Sequence, residues 1–217
     1  MPKPARKRPA DTVDTSMRLF IAVPLPEPVI DLVARTTASL QQEDWAIRWT
    51  APGNAHLTLH FLGEVEPERA QLLRLALPEI VGQHDAFALR TADLGVFPNM
   101  KRPRVLWLGL YGPAHRLKTL REAIAQVLEG LEFELEDKEF HPHITLGRVR
   151  STHNARVRDL PARIRARFER AAESGEVTHT RPLPVPVEEI VLVRSFLEPR
   201  GARYEVLERF PLRIPAE

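Results

Sequence analysis

The chain has 217 residues, 43% of them apolar and 28% charged, and no cysteine. That length suits one sizeable domain or two closely packed lobes, and the missing thiols exclude disulfides, thiolate zinc sites and cysteine nucleophiles together. The pI is about 9.2, but the formal net charge of +2 sits in the first 16 residues, where Lys3, Arg6, Lys7 and Arg8 outnumber Asp11 and Asp14. Any anion site in the near-neutral remainder must be a local patch.

Residues 1–16 hold several prolines and basic side chains and no apolar segment, so a disordered, solvated tail is expected there, with residues 17–217 forming a single domain. The tail lacks the apolar stretch of a secretory signal, and no run approaches the ~18 apolar residues of a membrane span. The expected location is therefore the cytoplasm, away from membranes.

Met17 to Val23 reads as a buried strand, ended by the proline-bearing stretch Pro24–Pro28. Val29, Leu32, Val33 and Leu40 follow at helical spacing. Trp45 to Gly53 reads as irregular, with a turn at Pro52-Gly53. The stretch His56-Leu57-Thr58-Leu59 then opens a strand expected to stop at Gly63. Alternation puts His56, Thr58 and His60 on one face, and Leu57, Leu59 and Phe61 on the core face. Pro67 opens a second helix, with Leu72, Leu73, Ala76 and Ile80 as its buried stripe.

Phe87–Val96 and Val105–Leu110 read as strands joined by a loop, Phe97–Arg104, that carries Lys101, Arg102 and Arg104. A third helix begins at Pro113, with Leu117, Leu120, Ile124 and Val127 on one side. Phe133–Leu135 reads as a short strand. The pattern His, apolar, Thr, Leu then returns at His143-Ile144-Thr145-Leu146, 87 residues after its first occurrence. From about Pro161 to Ala172 the pattern is helical, with Ile164, Phe168 and Ala171 forming an apolar face among Arg163, Arg165, Arg167 and Arg170. Arg181–Pro186 reads as a proline-rich connector. Two final strands, Glu189–Phe196 and Arg203–Glu208, are joined through Pro199-Arg200-Gly201. Strands and helices alternate and each half carries one copy of the repeated stretch, which gives an α+β fold of two lobes, each a small sheet backed by helices.

In a strand, His and Thr two residues apart emerge side by side. Imidazole has an unperturbed pKa near 6.5, so at neutral pH one histidine can accept a proton while another donates one. Hydrolysis of a phosphodiester needs both actions, and Thr hydroxyls suit the non-bridging phosphate oxygens. A zinc site at His141-Pro142-His143 is the competing reading, disfavoured because no carboxylate adjoins either stretch closely. His84, His115, His153 and His179 fall in helix or loop contexts and are expected to be solvated. Other readings are a related enzyme acting on a small cyclic nucleotide or a 2′-5′-linked oligonucleotide, and a binding module without turnover.

The chain resembles the bacterial and archaeal RNA 2′,3′-cyclic phosphodiesterases, the 2′-5′ RNA ligase family of the 2H phosphoesterase superfamily. The likeness rests on MRLFIAVPLP near the start, RWTAPGNAHLTLHFLGEV at 48–65, LGVFPNMKRPRVLWLGL at 94–110, FHPHITLGRV at 140–149 and VLVRSFLEPRGARYEVLERFPL at 191–212. It implies a bilobal fold of two small antiparallel sheets with pseudo-twofold symmetry. It also implies cofactor- and metal-free hydrolysis of RNA 2′,3′-cyclic phosphate ends to 2′-phosphomonoesters, with reversible ligation as a further reaction. Carried over, His56 is the general acid, His143 the general base, and Thr58 and Thr145 hold the phosphate. Arg148 and Arg104, and to a lesser degree Arg102, are candidate RNA contacts, although strand parity turns Arg148 away from the cleft unless a bulge intervenes. The expected partner is RNA with a cyclic phosphate end, and the expected state a monomer.

Overall fold

A computed structural model describes residues 15–136, 139–150, 159–174, 182–199 and 201–215. Most of the expected basic tail, the Arg200 turn position, His153 and His179 lie outside these residues. The described residues form nine strands and four helices, and the strands join into one curled sheet.

The apolar run Met17–Val23 (β1) is buried over its last five residues and pairs on both edges, as a central strand must. The chain leaves it through helix α1 (Glu27–Gln41), which starts with a proline in its first turn and buries Val29, Leu32, Val33 and Leu40. Strands β2 (Ile47–Trp49) and β3 (Leu57–Val65) follow, then helix α2 (Pro67–Val81) and strand β4 (Phe87–Phe97). The second half repeats this order: β5 (Val105–Tyr111), α3 (Ala114–Gly130), β6 (His143–Val149) and α4 (Leu160–Ser174). It ends with β7 (Pro184–Val187), β8 (Glu189–Glu198) and β9 (Gly201–Pro211).

Along the sheet the order is β7-β4-β5-β6-β3-β1-β8-β9. The units β1-α1-β3-α2-β4 and β5-α3-β6-α4-β8 are therefore equivalent, and they exchange their last strands: β4 pairs with β5, and β8 with β1. Each four-strand half is one lobe's small antiparallel sheet. The two halves meet at one register pair, Leu57 with Ile144, both fully buried. This junction lays the two repeated stretches side by side at the centre of the molecule.

Several expectations change. Ile47–Trp49, read as irregular, is a strand beside β6, too short to show a period. Phe133–Leu135 is not a strand; Phe133 instead closes the end of α3 by donating its N–H to the Leu128 carbonyl. Within the stretch read as a connector, Pro184–Val187 is the edge strand on β4, where prolines are tolerated because one side of the strand needs no donors. The buried stripe of α2 is Ala70, Leu73, Leu77 and Val81, while Leu72 is about half exposed.

Gly147 marks the closest packing at the β2–β6 contact. A Cβ there would lie 2.6 Å from the Cγ2 of Ile47 and 3.1 Å from the Arg48 carbonyl oxygen. Gly147→Ala is expected to cost about 1–3 kcal/mol through overpacking, read as a lowered urea midpoint at unchanged slope; an unchanged midpoint would mean that β2 yields freely.

Candidate active site

Both repeated strands carry the same irregularity. In the β1–β3 ladder Ala22 faces Thr58 and Ile21 faces His60, so Leu59 is an extra residue. In the β5–β6 ladder Trp107 faces Thr145 and Leu106 faces Gly147, so Leu146 is extra. Each bulge follows its threonine directly and reverses the inward-outward alternation beyond it. His56 and Thr58, and likewise His143 and Thr145, therefore share the cleft face as strand geometry requires. The fifth residue after each histidine also returns to the cleft: Phe61 in one strand and Arg148 in the other.

The bulge overturns two expectations of simple alternation. His60 leaves the face of His56 and is buried at 5% exposure, its Nε2 3.0 Å from the Arg121 carbonyl oxygen in α3. Phe61 is half exposed and lies beside Phe20 rather than in the core. Arg121 completes the arrangement by donating its Nε–H to the Leu59 carbonyl at 3.2 Å. Burial is the main force holding the His60 pKa down, to about 4.

The two imidazoles are held alike. His56 Nδ1 is 2.7 Å from the Asn54 carbonyl oxygen, and His143 Nδ1 is 2.7 Å from the His141 carbonyl oxygen. A carbonyl only accepts, so Nδ1 carries the proton in both rings and Nε2 is the nitrogen left for proton exchange. Aromatic rings fix the planes: Phe20 stacks on His56 at 4.7 Å and Tyr204 meets it edge-on at 5.4 Å. Phe97 meets His143 edge-on at 4.8 Å. Burial is the largest influence on both histidines and lowers both pKa values, opposed by the carbonyl bonds. His143 further lowers His56, while Arg148 and His141 further lower His143. Burial raises the Tyr204 phenol, which stays protonated.

The cleft has two arms. One, of about 800 Å3, includes His56, Arg18, Arg48 and Tyr204; the other, of about 550 Å3, includes His143, Phe97, Phe140 and Arg121. Thr58, Thr145 and Arg148 line both arms and so mark the point where they meet. His56, His143, Thr58, Thr145 and Arg148 are thus brought together. Arg104 and Arg102 are exposed and line neither arm; Arg104 instead ties the strand ends through its backbone, with its N–H to the Phe97 carbonyl and its carbonyl to Val149. Tyr204, Phe20 and Phe61 had no local signal as site residues, because a fold contact rather than a spacing delivers them. Among the described residues no group of three His, Asp or Glu side chains is placed to hold a metal ion, and no helix is long and apolar enough to cross a membrane.

Known proteins share this fold. The chain matches the family described as LigT like Phosphoesterase over residues 23–107 and 111–204. A Thermus thermophilus protein named RNA 2′,3′-cyclic phosphodiesterase is 36% identical over 210 residues, 91% of this chain and 91% of the relative. A protein of that name from Aquifex aeolicus is 34% identical over 167 residues, 76% of this chain and 81% of the relative. Among solved structures, one from Thermus thermophilus superposes with a TM-score of 0.71 at 29% identity, covering 92% of this chain and all of that one. E. coli LigT in its apo form gives 0.67 at 27% identity, covering 91% of this chain and 98% of that one; the same protein has been crystallised with 3′-AMP and with phosphate. The chain belongs to the LigT-like 2H phosphoesterase family and is a phosphoester hydrolase.

Proposed function

We propose that the protein hydrolyses the 2′,3′-cyclic phosphate at RNA ends to a 2′-phosphomonoester, using two histidines and no metal. The observation that carries this reading is the pair of matched imidazoles. Each is bound through Nδ1 to a carbonyl two residues before it, each leaves Nε2 for proton exchange, and each stands beside a threonine where the arms meet. The names of the relatives support the cyclic phosphate as substrate.

In this mechanism Thr58, Thr145 and Arg148 hold the non-bridging oxygens. His143 Nε2 takes a proton from water as its oxygen attacks phosphorus. The P–O3′ bond breaks, His56 Nε2–H protonates the departing 3′ oxygen, and the phosphate remains on the 2′ oxygen. Burial, and after it the Arg148 charge, lower the His143 pKa and favour the neutral ring that a base needs. With a 5′-hydroxyl of a second RNA in place of water, the same acid and base serve 2′-5′ ligation.

The test is hydrolysis of an oligonucleotide with a 2′,3′-cyclic end, with chelator present and ATP absent. The expected product is the 2′-phosphate; a 3′-phosphate would mean that the 2′ oxygen leaves, and loss of activity in chelator would assign the work to a metal. The pH profile gives a second check. Activity needs His143 neutral and so falls as pH drops through its pKa; it needs His56 protonated and so falls as pH rises through its own. Both pKa values lie below 6.5 in the free enzyme. The bell of kcat/KM, which reports the apparent values of the coupled pair, is therefore expected to peak on the acid side of pH 6.5. A plateau reaching pH 8 would contradict it.

A further inference from the structure

A third cavity, about 540 Å3, opens from the His56 arm toward α1 and shares Arg48, Asn54, Arg148 and Tyr204 with it. Its walls are built rather than incidental. Arg48 and Arg148 are directly opposed in the β2–β6 ladder, so both side chains emerge on one face. Like charges placed opposite each other across a ladder destabilise it. Yet both arginines are exposed, and neither has an ion-pair partner among the described residues. The ladder continues through the Thr50 N–H to the Leu146 carbonyl at 2.8 Å. The facing wall is fixed by Asn54, whose Nδ2 donates to the Ala202 carbonyl at 2.6 Å. Trp49 and Tyr204 supply aromatic surface, and Glu198, the one carboxylate lining the groove among the described residues, is engaged by Arg203 at 3.2 Å.

We propose that this groove seats the single-stranded RNA leading to the cyclic end, with Arg48 holding a backbone phosphate upstream of that end. The inference rests on the proposed function. In-line displacement sets water and leaving oxygen on opposite sides of phosphorus, so a strand whose 3′ oxygen faces His56 must extend from the His56 side. The groove meets that side through Asn54, whose carbonyl holds His56, and through Tyr204, which packs on it. Paired cations interleaved with aromatic rings are what a single-stranded backbone and its bases select. Both arms of the cleft carry carboxylates, Glu132, Glu134 and Glu136 beside His56 and Glu136 and Glu139 beside His143, whereas the groove toward α1 holds Glu198 alone among the described residues and so repels a phosphate backbone least.

The experiment measures kcat/KM for a 2′,3′-cyclic mononucleotide and for an oligonucleotide ending in the same nucleotide, in wild type, Arg48→Gln and Arg48→Lys. The oligonucleotide-to-mononucleotide ratio is expected to fall roughly tenfold in Arg48→Gln, the loss typical of one hydrogen-bonded charge contact, and to be largely kept in Arg48→Lys. The dependence of log KM on log salt for the oligonucleotide should flatten by about one phosphate contact. A ratio unchanged in Arg48→Gln overturns the groove assignment while leaving the hydrolytic function intact. If wild type turns over neither substrate, the function itself falls. Arg48 is then judged by affinity for the single-stranded oligonucleotide, and equal binding by wild type and Arg48→Gln overturns the groove.

Discussion

His143→Ala and His56→Ala are each expected to lower kcat on a cyclic-phosphate RNA end by roughly 10²–10⁴-fold, the usual contribution of a positioned acid or base. KM should change little, since the proposed mechanism holds the phosphate by the threonines and Arg148 rather than by the imidazoles. The double variant should be little slower than the worse single one, because acid and base act in the same step. The two roles separate on an aryl phosphodiester, whose leaving group departs without a proton. His56→Ala should recover most of its rate there, and His143→Ala should not. The reverse pattern would exchange the roles; equal, small losses in both would remove the histidines from the chemistry. Circular dichroism of both variants checks that the aromatic packing around each ring is not the cause.

The second large effect is on stability. His60 is buried in the wall of the His143 arm, and its pKa is lowered to about 4. The folded chain thus binds this proton less readily than the unfolded chain, where imidazole titrates near 6.5. Its contribution is complete above pH 6.5 and is lost as pH falls from 6.5 toward 4. The loss at pH 4.5 is expected to be about 2–3 kcal/mol. Urea unfolding at pH 7 and pH 4.5, in wild type and His60→Gln, isolates it, because the glutamine amide can still donate to the Arg121 carbonyl but takes up no proton. The difference between the two pH values should be smaller in the variant by that amount. An equal difference in both proteins would show that His60 is accessible to protons in the fold.

How far the sequence could be read follows the range of each interaction. His56 with Thr58, and His143 with Thr145, were legible because facing is decided two residues apart within one strand. Arg148 and His60 were not, since a bulge is a property of two paired strands and the partner's register is invisible from one of them. The α2 stripe failed for a related reason: Leu72 and Leu73 both fit a helical period, and only the neighbouring elements decide which is covered. Arg167, one of the arginines around the apolar face of the fourth helix, is buried against Glu43, more than a hundred residues earlier, a partner no local pattern shows. Ile47–Trp49 and Pro184–Val187 are strands because of what lies beside them rather than what they contain.

The exchange of last strands between the two units has a consequence for biosynthesis. β1 is made first, yet one of its edges waits for Val191–Arg194, near the other end of the chain. β4 emerges with the first unit but has nothing to pair with until β5 follows. The sheet of the first unit is therefore incomplete until β8 has been made. A half-length product is left with an open sheet edge instead of half an enzyme.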